Sequence, residues 1–449
     1  MAALQEYHYS SSSAFRTDSG GGFLDLSTSG GISQAEPEAE HPFFFQGALT
    51  APKVASRCLS VLAKVVASKF TYTREQRLSL LDPVVTSGGD YVRFEGFSGC
   101  CGLFARVDLT PDAYQAVQVH HGTTNVDFNR ELRNALSAVG EKSRLSLAIG
   151  QEELVLIDGS DQIVEKKVPL PSRWLKGFVE AGTYQANMEE VFRVPRIHAV
   201  RFLTSLTKAN SLAKEAWLIR QGPGFKFSPS RSSNGVRVGS PERLSFLQEL
   251  SPFVRGLRIS KDSADQVSSW DVDCGSVKFS LTISPETYRG FSGEGQALAD
   301  LIDDDCLWLS EEIRDNLEWQ ASIKLSDLAR KHKTSTEKIA EALSHLSAQG
   351  LVGYDRNLGG YFHREMPFKP ERLQTLNPRI KNAQRLVETG VIEWIDPKIR
   401  AWIKGDSASY EVKLSETPSC TCRWHTKYLG RRGYCKHILA AQLSAKDKS

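Results

Sequence analysis

The chain has 449 residues, a net charge of +3, and 40% hydrophobic and 24% charged residues, ordinary globular usage that allows buried cores in about three or four domains. No apolar run reaches the roughly 18 residues of a membrane span, the N-terminus has no charged region leading into an apolar stretch, and so small a net charge excludes a surface that grips nucleic acid everywhere. Eight cysteines are few for this length; Cys58, Cys100, Cys101, Cys274 and Cys306 show no framework spacing, which predicts a reducing, cytoplasmic setting.

Residues 1–42 are rich in Ser and Gly, with an acidic patch around Glu36, Glu38 and Glu40, a composition that predicts a mobile segment. Tyr7-His8-Tyr9 and Phe23-Leu24-Asp25-Leu26 are spots that could dock on the body. From Phe43 an apolar strand leads to Pro52, which opens a helix with Val54, Cys58, Leu59, Leu62, Val65 and Val66 on one side. Strands are predicted over 91–97 and 103–109, near 125–128, and over 145–149, 154–157 and 163–168, with a helix over 129–139. After Tyr184 the order returns: a helix over 196–208, strands over 217–220, 225–227 and 236–238, a helix over 241–250, then strands over 257–259, 270–272 and 277–283.

This alternation divides the body into 43–183 and 184–304, and such repetition is a fold-level signal. The repeated strand-helix-three-strand unit resembles the DNA sliding-clamp fold, most of all over 125–156. The resemblance implies an α+β body of two similar halves with sheets outside and paired helices on one side. The helix over 129–139 sets Arg130 and Arg133 against Glu131, so it is not strongly basic.

Gly96-Phe97-Ser98-Gly99 and Gly290-Phe291-Ser292-Gly293 repeat one tetrapeptide, but neither is a nucleophile elbow and no P-loop follows; a turn or helix start is the reading. The dense acidic run Asp303-Asp304-Asp305 makes a poor metal cage. No HExxH and no EF-hand loop is present, no small-molecule substrate is evident, and the prediction is that the protein is not an enzyme.

Over 305–366 three short helices are predicted, at 311–319, at 326–332 with Ser326 as cap, and from a capping box at Thr334 to Glu337 through Ile339, Ala342, Leu343 and Leu346 to Gly350. Strands at 351–354 and 360–363 follow. This order resembles a winged helix-turn-helix, which implies a third helix in the major groove. Glu337 and Glu341 there offset Lys338 and His345, while Arg330-Lys331-His332-Lys333 could hold a phosphate backbone; docking on protein is the alternative.

Residues 367–449 begin with a hinge rich in Pro and Asn (Pro367, Pro370, Asn377, Pro378) and contain the one stretch with the spacing of a chemical site. The strand pattern Tyr410 to Leu414 turns at Pro418 into Cys420-Thr421-Cys422, and Cys435-Lys436-His437 comes twelve residues later, before a helix over Ile438 to Leu443. Residues two apart in extended backbone point the same way, so each pair can present two ligands. Three thiolates and one imidazole make the closed tetrahedral shell of a structural zinc site. His425 is a possible substitute ligand, and a CxC disulfide would close a strained ring.

CxC, a variable loop, CxH and a ββα reading resemble the SWIM zinc finger, and 361–365 with Gly390-Val391 also look like stand-alone bacterial SWIM proteins. The resemblance implies zinc on Cys420, Cys422, Cys435 and His437 and a role in binding DNA or protein, since such modules occur in remodelling-type ATPases and Mutator-like transposases. Independently, Arg423, Lys427, Arg431, Arg432 and Lys436 interleave with Trp424, Tyr428 and Tyr434, a pattern suited to phosphate contact and base stacking; its alternative is a solvated loop whose aromatics cover the metal. The prediction is therefore a zinc-stabilised protein that binds nucleic acid, DNA before RNA, with a scaffold for protein partners such as an ATPase as the rival.

Overall fold

The structure is a computed structural model, and it describes residues 14–18, 21–26, 32–33, 43–68, 83–126, 128, 130–141, 143–150, 172–206, 215–287, 290–291, 307–366, 378–405, 408–415, 417–429 and 433–446. The strands expected over 154–157 and 163–168, the run Asp303-Asp304-Asp305, the Tyr7 to Tyr9 spot, Ser292-Gly293 and Cys306 lie outside these residues.

The body begins with β1 (Ala14–Asp18), β2 (Gly21–Leu26) and β3 (Ile32–Ser33), then β4 (Phe43–Leu49), α1 (Pro52–Ala67), β5 (Val84–Gly88), β6 (Tyr91–Phe97) and β7 (Leu103–Leu109). β8 (Tyr114–Val119), β9 (Gly122–Asn125), α2 (Arg130–Ala138), β10 (Leu145–Gly150) and α3 (Ser172–Ala186) follow. The second half holds β11 (Met188–Pro195), α4 (Arg196–Ser205), β12 (Glu215–Gln221), β13 (Gly224–Ser228), β14 (Val236–Gly239), a 3-10 helix (Pro241–Leu250), β15 (Gly256–Asp262), β16 (Ser268–Asp273) and β17 (Val277–Ile283).

The expectation of a mobile N-terminal segment is corrected in part. β1 pairs with β2, β2 runs parallel to β10, and β3 pairs with β9; ladder hydrogen bonds order a stretch whose composition promises no core. The Phe23 to Leu26 spot is β2 itself.

Two pairings recur in the two halves. β4 pairs antiparallel with β10, the strand after α2, as β11 does with β15, the strand after the 3-10 helix. β5 makes a hairpin with β6 and takes β9 on its other edge, as β12 does with β13 and β14. The halves differ at β7, which pairs with β17 and fuses them into one nine-stranded sheet, β11-β15-β16-β17-β7-β6-β5-β9-β3. At the corresponding point in the second half, 229–235 form bends and turns. A five-stranded sheet (β1-β2-β10-β4-β8) and a three-stranded one (β13-β12-β14) flank it.

Alternation gives the central sheet one apolar and one polar face. Ile259, Trp270, Leu281, Ala105 and Gly96 stand in register across five strands; α1 covers β6, β7 and β17 and α4 covers β15, with the 3-10 helix between them and α2 on the far side of α1. A Cβ on Gly96 would meet Val66 of α1 at 2.6 Å, so the helix reaches the sheet only over a glycine. On the other face the row is Arg258, Asp271, Ser280, Arg106 and Glu95.

That polar face is not solvent-exposed, contrary to the picture of sheets on the outside. α3 lies on it, with Phe178 against Phe97 and Phe104 and the Gln185 amide donating to Thr282 Oγ1 at 2.9 Å. The same face receives a unit of α5 (Leu307–Arg314), α6 (Leu325–Lys331), α7 (Thr336–Ala348) and the hairpin of β18 (Val352–Asp355) and β19 (Gly360–His363), with α7 and β18 packed beside α3. α6 starts before Ser326, so Ser326 does not cap it, and α7 is capped by Ser335, whose hydroxyl accepts from the Lys338 amide.

The hairpin is clamped to the sheet by buried charge. Asp355 accepts from Arg93 Nη2 at 3.1 Å and Arg106 Nη2 at 2.9 Å, Arg106 Nε donates to Asp108 at 3.0 Å, and Arg364 pairs with Glu95. Asp271 receives Arg258 and Arg356, each at 3.2 Å. Phe362 is covered by the Arg93 guanidinium at 4.2 Å, with Arg364 at 5.5 Å and Arg106 at 5.9 Å. Burial works to raise the Asp355 pKa, but Arg106, Arg93 and two backbone amides hold it below the usual carboxylate range. Asp108 goes the other way, pushed up to about 6 by burial that outweighs Arg106.

Removing one member of a buried pair leaves an uncompensated charge and costs about 3–5 kcal/mol, whereas an exposed pair is worth about 0–1 kcal/mol. Asp355→Ala, which leaves the two buried guanidiniums of Arg93 and Arg106 to share Asp108, is therefore expected to lower the urea-unfolding free energy by about 3–5 kcal/mol, and Glu141→Ala, which breaks the exposed Lys53 pair, to change it by under about 1 kcal/mol. A second prediction concerns pH. His363 is buried, its Nδ1 accepts from the Trp319 amide at 2.8 Å, and burial with His121 nearby lowers its pKa to about 4. Its folded pKa lies below its unfolded value, so the stability it allows is complete above about pH 6.5 and lost as pH falls toward 4, by roughly 3 kcal/mol in all. Urea midpoints from pH 7 to 4 should fall less steeply in His363→Gln, which keeps an acceptor but cannot charge.

Candidate metal centre

The tail is built from α8 (Pro378–Glu388), β20 (Ile392–Asp396), β21 (Arg400–Lys404), β22 (Ser409–Lys413), β23 (Ser419–Cys420), α9 (Arg423–Tyr428) and α10 (Lys436–Lys446). The hinge reading is corrected at Pro378, which opens a helix, while Pro367, Pro370 and Asn377 lie outside the described residues; a hairpin over 392–404 precedes the expected ββα order. β20 to β23 form one four-stranded antiparallel sheet. Val412 pairs with Cys420, and the Thr421 amide donates to Glu411 O at 3.0 Å, carrying the ladder to the first cysteine pair.

Each sulfur accepts a backbone N–H. Cys420 Sγ accepts from the Cys422 amide at 3.4 Å, Cys422 Sγ from His425 at 3.4 Å, and Cys435 Sγ from Ile438 at 3.5 Å. Cys422 is extended and is the N-cap of α9. Cys435 immediately precedes α10 and His437 is the second residue of that helix, so the CxH pair straddles a helix start and both side chains reach the same point. The His437 ring stacks on Tyr410 with centroids 4.5 Å apart.

One ligand atom from each of Cys420, Cys422, Cys435 and His437 lies within 4.8 Å of the others, and all four residues are buried. Cys420 Sγ and His437 Nδ1 are 3.8 Å apart, close to the roughly 3.6 Å that separates a sulfur and a nitrogen ligand across tetrahedral zinc. Hydrogen bonding from Cys420 and Cys435 pulls the Cys422 thiol well below its ordinary range, while sharing with Cys422 pushes Cys420 well above it. A bound dication would take the place of the thiol protons. The donor set fits a structural zinc ion, which would hold the sheet, α9 and α10 together. His425 stands outside the group.

The cluster is embedded in apolar side chains: Ala383 and Leu386 from α8, Ile403 from β21, Val412 from β22 and Ile438 to Ala441 from α10. The metal unit is thus 378–446, longer than the finger alone.

The predicted basic-aromatic loop is partly helical. Arg423 and Lys427 are exposed on α9, Lys436 is half-buried at the start of α10, and Trp424, Tyr428 and Tyr434 are half-buried; Arg431 and Arg432 lie outside the described residues. Trp424 leans on Tyr428 with centroids 4.5 Å apart, and the Arg379 guanidinium covers the Trp424 ring at 4.4 Å. Trp424 and Tyr434 also pack against the apolar cluster around the metal. Sequence reasoning missed Arg379 because Pro378 was taken as part of a hinge; Pro at the first helical position was the available signal.

The model of the SWIM zinc finger family matches residues 410–446. No curated protein matches the chain. Among solved structures, the chain is similar to the crystal structure of Proliferating Cellular Nuclear Antigen from Entamoeba histolytica, at 10% identity over 54% of this chain and 99% of that one, with a TM-score of 0.35; a score that low carries no argument about this protein.

A closed shell tolerates no missing sulfur. Cys435→Ser is expected to abolish stoichiometric zinc in elemental analysis and His425→Ala to retain it. Because zinc contributes roughly 10–16 kcal/mol in small finger peptides, chelation should open 378–446 to protease while the 43–366 body resists; cleavage confined to residues after 410 would mean that α8 and the β20–β21 hairpin stand without the metal.

Proposed function

We propose, from a tail that is a SWIM zinc finger, that this chain is a non-enzymatic, zinc-stabilised binding protein whose finger contacts nucleic acid. The observation that carries the reading is the charge of 417–446: Arg423, Lys427, Arg431, Arg432, Lys436 and Lys446 with no acidic residue. α9 supports it, since Arg423 and Lys427 are four residues apart on a helix anchored by a zinc ligand, stay exposed, and need little ordering when a phosphate arrives.

The helix-helix-helix-hairpin order of 307–366 supports a winged-helix reading, but of a unit used for docking within the chain. Its hairpin is buried against the central sheet and the end of α7 packs on α3, where Gly182 lies beside Ser347. The hairpin and the C-terminal end of the third helix are therefore occupied, while Glu337, Lys338 and Glu341 on that helix stay exposed. For the body, the paired recurrences of β4–β10 with β11–β15 and of β5–β9 with β12–β14 support a repeated, clamp-like unit.

A second reading rests on one surface. Ile395, Ile399 and Trp402 are exposed at 43%, 60% and 40% on and beside the β20–β21 hairpin, an apolar group fit for a protein partner.

Salt separates the two. If about three to five cations meet phosphates, log K against log salt on duplex DNA should have a slope of roughly −3 to −5. Arg423→Ala with Lys427→Ala should reduce its magnitude by about two and weaken all sequences alike. A parent that fails to bind at low salt, or a double variant that binds equally well, would sink the nucleic-acid reading and leave the scaffold.

A further inference from the structure

We infer that Arg379, outside the 410–446 match, is the positioning residue that sets α9 relative to the metal. Its guanidinium lies over the Trp424 ring at 4.4 Å and its Nη1 donates to Tyr434 O at 2.9 Å. Trp424 is the second residue after the ligand Cys422, and Tyr434 immediately precedes the ligand Cys435. One side chain from the first turn of α8 thus bridges both ends of the segment that joins the two halves of the metal site.

A bound metal would fix Cys422 and Cys435, and Trp424 of α9 packs against the apolar cluster around the site. Arg379 adds a hold from α8 by stacking on Trp424, and Trp424 in turn rests on Tyr428 at 4.5 Å. The order guanidinium, indole, phenol runs along one side of α9, so the exposed cations Arg423 and Lys427 project from a fixed helix. A planar, forked cation can lie flat on a ring and donate within its own plane to a carbonyl, a pairing that a compact lysine ammonium on a flexible stem reproduces poorly. Arg379 therefore acts through α9 and not by touching a phosphate.

The test is made on the full chain loaded with zinc. Arg379→Gln and Arg379→Lys should both keep one zinc per chain, speed hydrogen exchange of the 423–429 amides, and change Trp424 emission. These readouts need no nucleic acid, so they decide the inference even if the reading of the previous subsection, on which its affinity arm rests, fails. In that arm both variants should bind duplex DNA about tenfold more weakly with an unchanged salt slope. Rescue by Lys, or a slope smaller by about one, would make Arg379 a phosphate contact and overturn the proposal, as would unaltered exchange at 423–429. Should Arg379→Gln lose zinc, Trp424→Leu decides: it removes the stack and leaves the arginine, and the double variant should then be no worse than either single one, whereas additive effects would refute the coupling.

Discussion

The constraint on which the body depends is the burial of charge on the polar face of the central sheet. Arg93, Arg106, Arg258, Arg356 and Arg364 meet Glu95, Asp108, Asp271 and Asp355 there, with Arg93 and Arg106 fully buried. Desolvating so many ions is costly, and well-packed apolar residues could do as well for stability. What the ions add is direction: Asp355 meets Arg93 and Arg106 together in one docking of the hairpin, and a slipped strand would put its side chain on the other face. The opposite behaviour of two neighbouring carboxylates, Asp108 raised and Asp355 lowered, follows from the same geometry, because Asp355 gains two amides as well as two guanidiniums.

This joint explains why 307–366 belongs with the body although it has its own apolar cluster of Leu309, Ile313, Ile339, Leu343 and Leu346. Its helices pack around that cluster, and its hairpin puts Val352 and Tyr361 into the cluster and turns Asp355 and Phe362 to the arginines of the sheet. The tail is organised on a different principle. Its core is apolar, wrapped around four ligands, and each cysteine sulfur accepts an N–H from a turn or helix start. The protein thus uses buried charge to fasten one module and a metal-ligand shell to hold another.

Much of this was legible in the chain. The ligands Cys420, Cys422, Cys435 and His437 were readable because their chemistry depends on local spacing, which survives any fold. β17 and β19 were readable to the residue, since alternation and flanking turns bound them, and α7 was marked by its cap and its apolar spacing. α3 went unread even though Trp174, Phe178, Ala181 and Gln185 fall on one helical face; Gly177 and Gly182 inside it lowered the helical signal. α8 went unread because Pro378, which opens it, also reads as the end of a Pro- and Asn-rich hinge.

The sequence by itself determined the metal donor set, the basic character of the tail and the alternation that makes each strand two-faced, because all three are properties of neighbouring residues. Only the tertiary structure decided that both faces of the central sheet are buried, that β7 and β17 fuse the two halves, and that α8 and the β20–β21 hairpin belong to the metal unit. An alternating strand states which side chains share a face but not what covers it. Arg106 and Asp355, 249 residues apart, look like two surface charges until the fold brings them to hydrogen-bonding distance.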